Sequence, residues 1–169
     1  MKTILTHTGK IYVDTEHKLE FLTVGDYGKE NNIKANFLGL TKEINGVANT
    51  EVDLSKKWVA TISTQKGCPM NCKFCDVPKF GFYGNASIED MERQIRTIIE
   101  NESVRYTERF NVHFARMGEP TWNQDVLAFG IALKGVVRRC GLRADTVHPV
   151  VSTTVSYTHL RAHETEADL

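Results

Sequence analysis

Lys57-Trp-Val-Ala-Thr-Ile-Ser-Thr-Gln-Lys-Gly-Cys68-Pro-Met-Asn-Cys72-Lys-Phe-Cys75 joins an apolar β-forming run to three cysteines in one short loop. Residues 57–63 read as a strand, because aromatic and β-branched side chains cluster there without a helical period. The cysteines follow the spacing Cys-x3-Cys-x2-Cys. Three thiolates can hold three corners of a [4Fe–4S] cluster and leave one iron without a protein ligand, whereas ordinary electron-transfer clusters use four cysteines. Zinc is the first alternative, but a structural zinc site closes four ligands, usually from paired knuckles. The remaining donors, Cys140, His113 and His148, form no such pair. Four cysteines in 169 residues is also sparse for a disulfide-stapled secreted domain. The opening Met1-Lys-Thr-Ile-Leu-Thr-His7 is too short and polar for a signal-peptide core. Cys140, between Arg139 and Gly141, reads as an ordinary free thiol.

From this loop the pattern extends in both directions. Ser87-Ile-Glu-Asp90 is a capping-box variant. Ile88, Met91, Ile95, Ile98 and Ile99 then repeat at helical spacing as a core stripe. Phe110-Asn-Val-His-Phe-Ala115 alternates as a second strand, residues 125–139 form a second amphipathic helix ended by Gly141, and residues 146–152 form a third strand. Strand, cysteine loop, helix, strand, helix, strand is the order of a parallel sheet, with ligands at the C-terminal strand ends. The cysteine loop, Met117-Gly-Glu-Pro120 and Ser152 should therefore share one rim. Upstream, residues 10–14, 19–24 and 33–38 are strand candidates, and residues 46–55 read as a linker. The expected organisation is a β-rich segment and linker over 1–56, the start of an α/β core over 57–153, and a tail over 154–169. That tail reads as the translation of a sequencing adapter, with native sequence stopping near Thr153.

Composition is that of a globular protein, 41% hydrophobic and 25% charged, with Lys plus Arg equal to Asp plus Glu. Zero net charge gives no support for a broad nucleic-acid footprint. No apolar run is long enough to span a membrane. Exposed thiols as ligands imply a reducing, cytoplasmic setting.

Cys-x3-Cys-x-aromatic-Cys after a first strand resembles the radical S-adenosylmethionine superfamily. Within it, Ser63-Thr-Gln-Lys-Gly-Cys68, Cys72-Lys-Phe-Cys75, Met117-Gly-Glu-Pro120 with Asn123, and Val151-Ser-Thr153 are similar to the 23S ribosomal RNA adenine methyltransferases, over about residues 58–153. The resemblance implies a partial (β/α) barrel and a [4Fe–4S] cluster on Cys68, Cys72 and Cys75. It also implies S-adenosylmethionine against Gly118, Glu119 and Ser152, and Phe74 beside the cluster and adenine; as a bare residue Phe74 reads equally as core. A reducing donor of flavodoxin or ferredoxin type and an RNA substrate are implied as partners. No catalytic side chain is assigned. Two departures stand out: Thr61 occupies the place of a cysteine seven residues before the first cluster cysteine, and Arg116 replaces a glycine before Met-Gly-Glu-Pro. Base methylation of RNA thus stands beside modification of a protein or small metabolite, and beside a zinc-stabilised binding domain without catalysis.

Overall fold

The computed structural model describes residues 1–6, 9–24, 41–44, 47–51 and 53–154, with backbone alone for 41–44 and 47–51. Its strands are β1 (Lys2–Thr6), β2 (Gly9–Asp14), β3 (Leu19–Val24), β4 (Thr41–Ile44), β5 (Val47–Glu51), β6 (Lys57–Ile62), β7 (Gln65–Gly67), β8 (Phe82–Asn85), β9 (Tyr106–Phe114) and β10 (Arg143–Val151). Two helices, α1 (Ile88–Glu100) and α2 (Asp125–Arg139), connect β6 to β9 and β9 to β10. A six-stranded sheet runs β1-β2-β3-β6-β9-β10. Strands β6, β9 and β10 are parallel, while β1, β2 and β3 form an antiparallel meander and β3 pairs antiparallel with β6.

The expected α/β alternation from residue 57 onward is present. The described residues form an open, mixed sheet, and β3 covers the edge of β6 that a closing strand would need. The linker expected over 46–55 is corrected: β5 pairs with β4 as a hairpin. The Asn45-Gly46 dipeptide between them is a strong hairpin signal in the sequence. The strand expected over 33–38, and the tail from residue 155 on, lie outside the described residues.

The core lies between the sheet and the two helices. Trp58, Ala60 and Ile62 on β6 stand beside Phe110, Val112 and Phe114 on β9, and all six are buried. Met91, Ile95, Ile98 and Ile99 of α1 and Val126, Phe129, Leu133, Val136 and Val137 of α2 cover them. Ile88 is the exception in the predicted stripe: at the first position of α1 it is exposed. The capping box forms as expected, with Ser87 Oγ accepting from Asp90 N–H and Asp90 Oδ2 accepting from Ser87 N–H, each at 3.2 Å. Cys140 caps α2 and is buried, and burial pushes its thiol pKa up, as a core thiol requires.

The N-terminal meander joins this core. Tyr12 stacks on Phe21 at 5.2 Å, and the Trp58 indole N–H donates to Thr23 Oγ1 at 2.6 Å in a buried setting. These two buried polar groups lead to opposite expectations. Thr23→Val orphans the indole donor and should cost roughly 1–3 kcal/mol. Tyr12→Phe should be neutral or stabilising, since its hydroxyl has no partner among the described residues and is buried. Urea unfolding of the two variants checks the pair; equal destabilisation would contradict it.

Candidate functional site

The sheet brings the three predicted features to one rim because their parent strands β6, β9 and β10 are adjacent and parallel. The chain leaving β6 enters a short two-stranded ribbon, β7 with β8. This ribbon pinches the base of the cysteine loop. Gly67 has φ of +85°, and a Cβ there would lie 1.9 Å from the Gly81 carbonyl oxygen. Cys68 N–H donates to that same oxygen at 3.3 Å. Within the loop Cys75 N–H donates to Cys72 O at 3.1 Å.

All three loop cysteines are free thiols of intermediate burial. Donor type and number therefore suit an iron–sulfur cluster, while among the described residues no three Cys, His, Asp or Glu side chains are drawn together tightly enough to hold a metal ion. Phe74 is 86% exposed, which removes the core reading for it. It lines, with Cys75, a cavity of about 750 Å³ that Lys18 of the β2–β3 turn and Glu20 of β3 also line. Lys18 reaches across to the Tyr83 ring, its ammonium 3.4 Å from the centroid.

The Met-Gly-Glu-Pro loop after β9 is fixed by a lattice of buried polar groups that the sequence reading missed. Thr64 N–H and Gln65 N–H donate to Met117 O at 2.9 and 3.2 Å. Gln65, 1% exposed, accepts from Glu119 N–H at 2.9 Å and donates to Asn85 Oδ1 at 2.8 Å. Asn123 donates to Thr64 O and Ala86 O at 2.7 and 2.8 Å. Gln94, on the inward face of α1, accepts from Ser63 N–H and donates to Ser63 O. The signal was present in sequence: Gln94 interrupts an otherwise apolar helix face, and Ser63-Thr-Gln65 ends an apolar strand. Buried polar groups of this kind need partners.

Gly118 is required here by packing. Its φ is +96°, and a Cβ would meet Gln65 Cβ at 2.5 Å. Glu119 is 2% exposed. Its Oε1 accepts from Thr121 N–H (3.2 Å), Thr121 Oγ1 (2.9 Å) and Thr153 Oγ1 (2.6 Å). Its Oε2 accepts from Thr154 N–H and Thr154 Oγ1, each at 2.9 Å. Burial pushes the carboxyl pKa up, but the donors from Thr153, Thr154 and Thr121 outweigh it and hold the group below its ordinary value. The predicted Ser152 is exposed at the end of β10, and its backbone N–H donates to Phe114 O at 3.4 Å. Its neighbours Thr153 and Thr154 reach Glu119, Thr154 being the first residue of the tail expected to be adapter-derived. Thr61 lies in β6 between Leu22 of β3 and His113 of β9. Burial lowers the His113 pKa, with Lys57 adding to the effect.

No family model matches the chain. It is 33% identical over 106 residues to the dual-specificity RNA methyltransferase RlmN of Campylobacter hominis, covering 63% of this chain and 29% of that protein. Identity to the probable dual-specificity RNA methyltransferase RlmN of Prochlorococcus marinus is 36% over 91 residues, 54% of this chain and 25% of the relative. To that of Parabacteroides distasonis it is 41% over 66 residues, 39% and 18% respectively. The chain thus spans less than a third of the length of these relatives. The resemblance read from the motifs is borne out by these similarities.

Two measurements bear on this geometry. Gly118→Ala should destabilise the fold by roughly 1–3 kcal/mol through strain and collision with Gln65, read as a shift in the urea midpoint; an unchanged midpoint would refute the packing account. Because the folded-state pKa of Glu119 is depressed, its stabilisation is complete above the unfolded value of about 4.3 and is lost as pH falls through the folded value. Glu119→Gln should flatten the acid limb of the stability curve, and an equally steep limb in the variant would count against it.

Proposed function

We propose that this chain carries the cofactor-binding part of a radical S-adenosylmethionine enzyme, and that RNA base methylation is the activity of the whole protein. The observation that carries the proposal is the joining of the cysteine loop to the Gly118–Glu119 turn through Gln65, in a chain similar to RNA methyltransferases. Strands β6, β9 and β10 are proposed as the first wall of a partial (β/α) barrel, one that does not close at β6 because β3 occupies that edge.

Cys68, Cys72 and Cys75 would hold a [4Fe–4S] cluster. The chemistry supplied when cluster and S-adenosylmethionine are both bound is reductive cleavage of a carbon–sulfur bond to a 5′-deoxyadenosyl radical. The residues on the rim would bind and orient. Glu119 is the acceptor suited to the cofactor's ammonium, because its carboxylate is held charged, and charge-assisted hydrogen bonds are the strong ones. Five donors already serve this carboxylate, more than its roughly four lone-pair sites. Taking an ammonium therefore means exchanging donors of Thr153 or Thr154 for it. Ser152, exposed beside them, offers a hydroxyl for the cofactor's carboxylate or ribose. Phe74 offers a planar apolar surface at the cavity wall. A reducing donor of flavodoxin or ferredoxin type would supply the electron.

A second reading keeps the radical chemistry and changes the substrate to a protein or small metabolite. Thr61 favours it, since a hydroxyl cannot take the thiol role that the resemblance assigns to that position. Mass spectrometry of ribosomal RNA from cells with and without the gene separates the two. A missing methyl group in the deletion supports RNA methylation, and identical RNA moves the assignment to the second reading.

The radical assignment itself rests on anaerobic reconstitution with iron and sulfide, then dithionite and S-adenosylmethionine. Formation of 5′-deoxyadenosine by the full-length protein is expected. Cys68→Ala, Cys72→Ala or Cys75→Ala should each abolish cluster retention, and iron held at wild-type stoichiometry in any of them would overturn the ligand set. Zinc in place of iron in anaerobically purified protein would point instead to a non-catalytic binding domain.

A further inference from the structure

The N-terminal meander closes a hydrogen-bonded circuit with the candidate cofactor turn. Glu20 on β3 takes part twice. Its backbone carbonyl accepts from Ser63 Oγ, at the end of β6. Its carboxylate Oε1 accepts from Arg116 Nε at 2.6 Å and from a second guanidinium nitrogen of the same side chain. Ser63 Oγ in turn accepts from Met117 N–H at 3.1 Å, the residue next to Arg116. Glu20, Ser63, Met117 and Arg116 thus form a ring across three strands. Arg116 is also fixed through its backbone, its N–H donating to Ile62 O at 3.2 Å. Glu20, Arg116 and Met117 all line the cavity that Phe74 and Cys75 share.

We propose that Arg116 is a positioning residue: latched to Glu20, it holds the Met117–Glu119 turn against the end of β6, so that the N-terminal meander helps build the cofactor site. The inference rests on the reading that Gly118 and Glu119 contact S-adenosylmethionine. An exposed ion pair alone contributes little to stability. This pair differs because both partners are bonded a second time to the same buried strand end, Glu20 through its carbonyl to Ser63 and Arg116 through its backbone to Ile62. Loss of the side-chain bond would therefore loosen a local turn and leave the helix-covered core intact. Local opening of that kind is visible in amide exchange.

The test compares the full chain with Arg116→Gln, Glu20→Gln and the charge-swapped double variant Glu20→Arg/Arg116→Glu. Readouts are amide hydrogen exchange over residues 116–119, S-adenosylmethionine binding by calorimetry, and thermal unfolding. Each single variant should speed exchange of the turn by about fivefold, as loss of a pair at the upper end of such interactions predicts. It should weaken cofactor binding by a similar factor and leave the melting temperature within a few degrees. The swapped pair should recover at least half of both effects. Unchanged exchange in the single variants, a lowered melting temperature with no local change, or no recovery in the double variant would overturn the latch. Absence of cofactor binding by the wild-type protein would overturn the functional reading alone, since the exchange data still decide the latch.

Discussion

The Gln65 side chain seated against Gly118 is the contact on which the site depends. Gln65 opens β7, just beyond the end of the first parallel strand β6, and its amide bonds the Glu119 backbone on one side and Asn85 on the other. It can lie there only because residue 118 has no Cβ and adopts a left-handed conformation. One buried amide therefore sets the spacing between the β6 exit, the β9 exit and the ribbon beneath the cysteine loop. Its partner Asn85 donates on to Trp122 O, and the neighbouring buried amides are also satisfied: Asn123 bonds Thr64 and Ala86, and Gln94 bonds Ser63. A fully connected polar network of this kind is stiff, because every broken bond leaves a desolvated group behind.

The stiffness is unevenly distributed, and the division matches the chemistry proposed. The base of the cysteine loop is pinned by Gly67 on Gly81, whereas Phe74 and Phe80 beyond it are exposed. Glu119 is buried and saturated with donors, but the donors from Thr153 and Thr154 come from a segment that is itself exposed. Three hydroxyls and two backbone N–H groups keep this carboxylate charged. Nothing comparable surrounds Cys140, which is buried in the apolar core with its thiol pKa raised.

Elements with strong periodic signals were legible. The helix over 125–139 has the bounds its pattern implied, and α1 begins at its capping box. The strands at 57, 110 and 146 were placed, although β9 and β10 begin earlier, at Tyr106 and Arg143, where polar residues mask the alternation. Strand β5 falls in the stretch expected as a linker, because Asn49, Thr50 and Glu51, three of its five residues, are polar. Phe74 was open between core and cofactor, and only its 86% exposure decided against core. Gly118 was read as room for a ligand, while its nearest obligation is to Gln65, more than fifty residues away in sequence.

By itself, the sequence determined the spacing of the three cysteines, the strand–helix alternation and the order in which the rim features appear. These are local properties, written in spacing, period and caps. Tertiary structure alone decided that the N-terminal meander extends the same sheet, that Gln65 and Asn123 bind the rim together, and that Thr153 and Thr154 reach Glu119. Each of these is a contact between residues far apart in the chain, made by polar side chains whose partners no period encodes. A buried hydrogen bond is specified by what the fold brings within 3 Å of it, and that distance exists only once the sheet has formed.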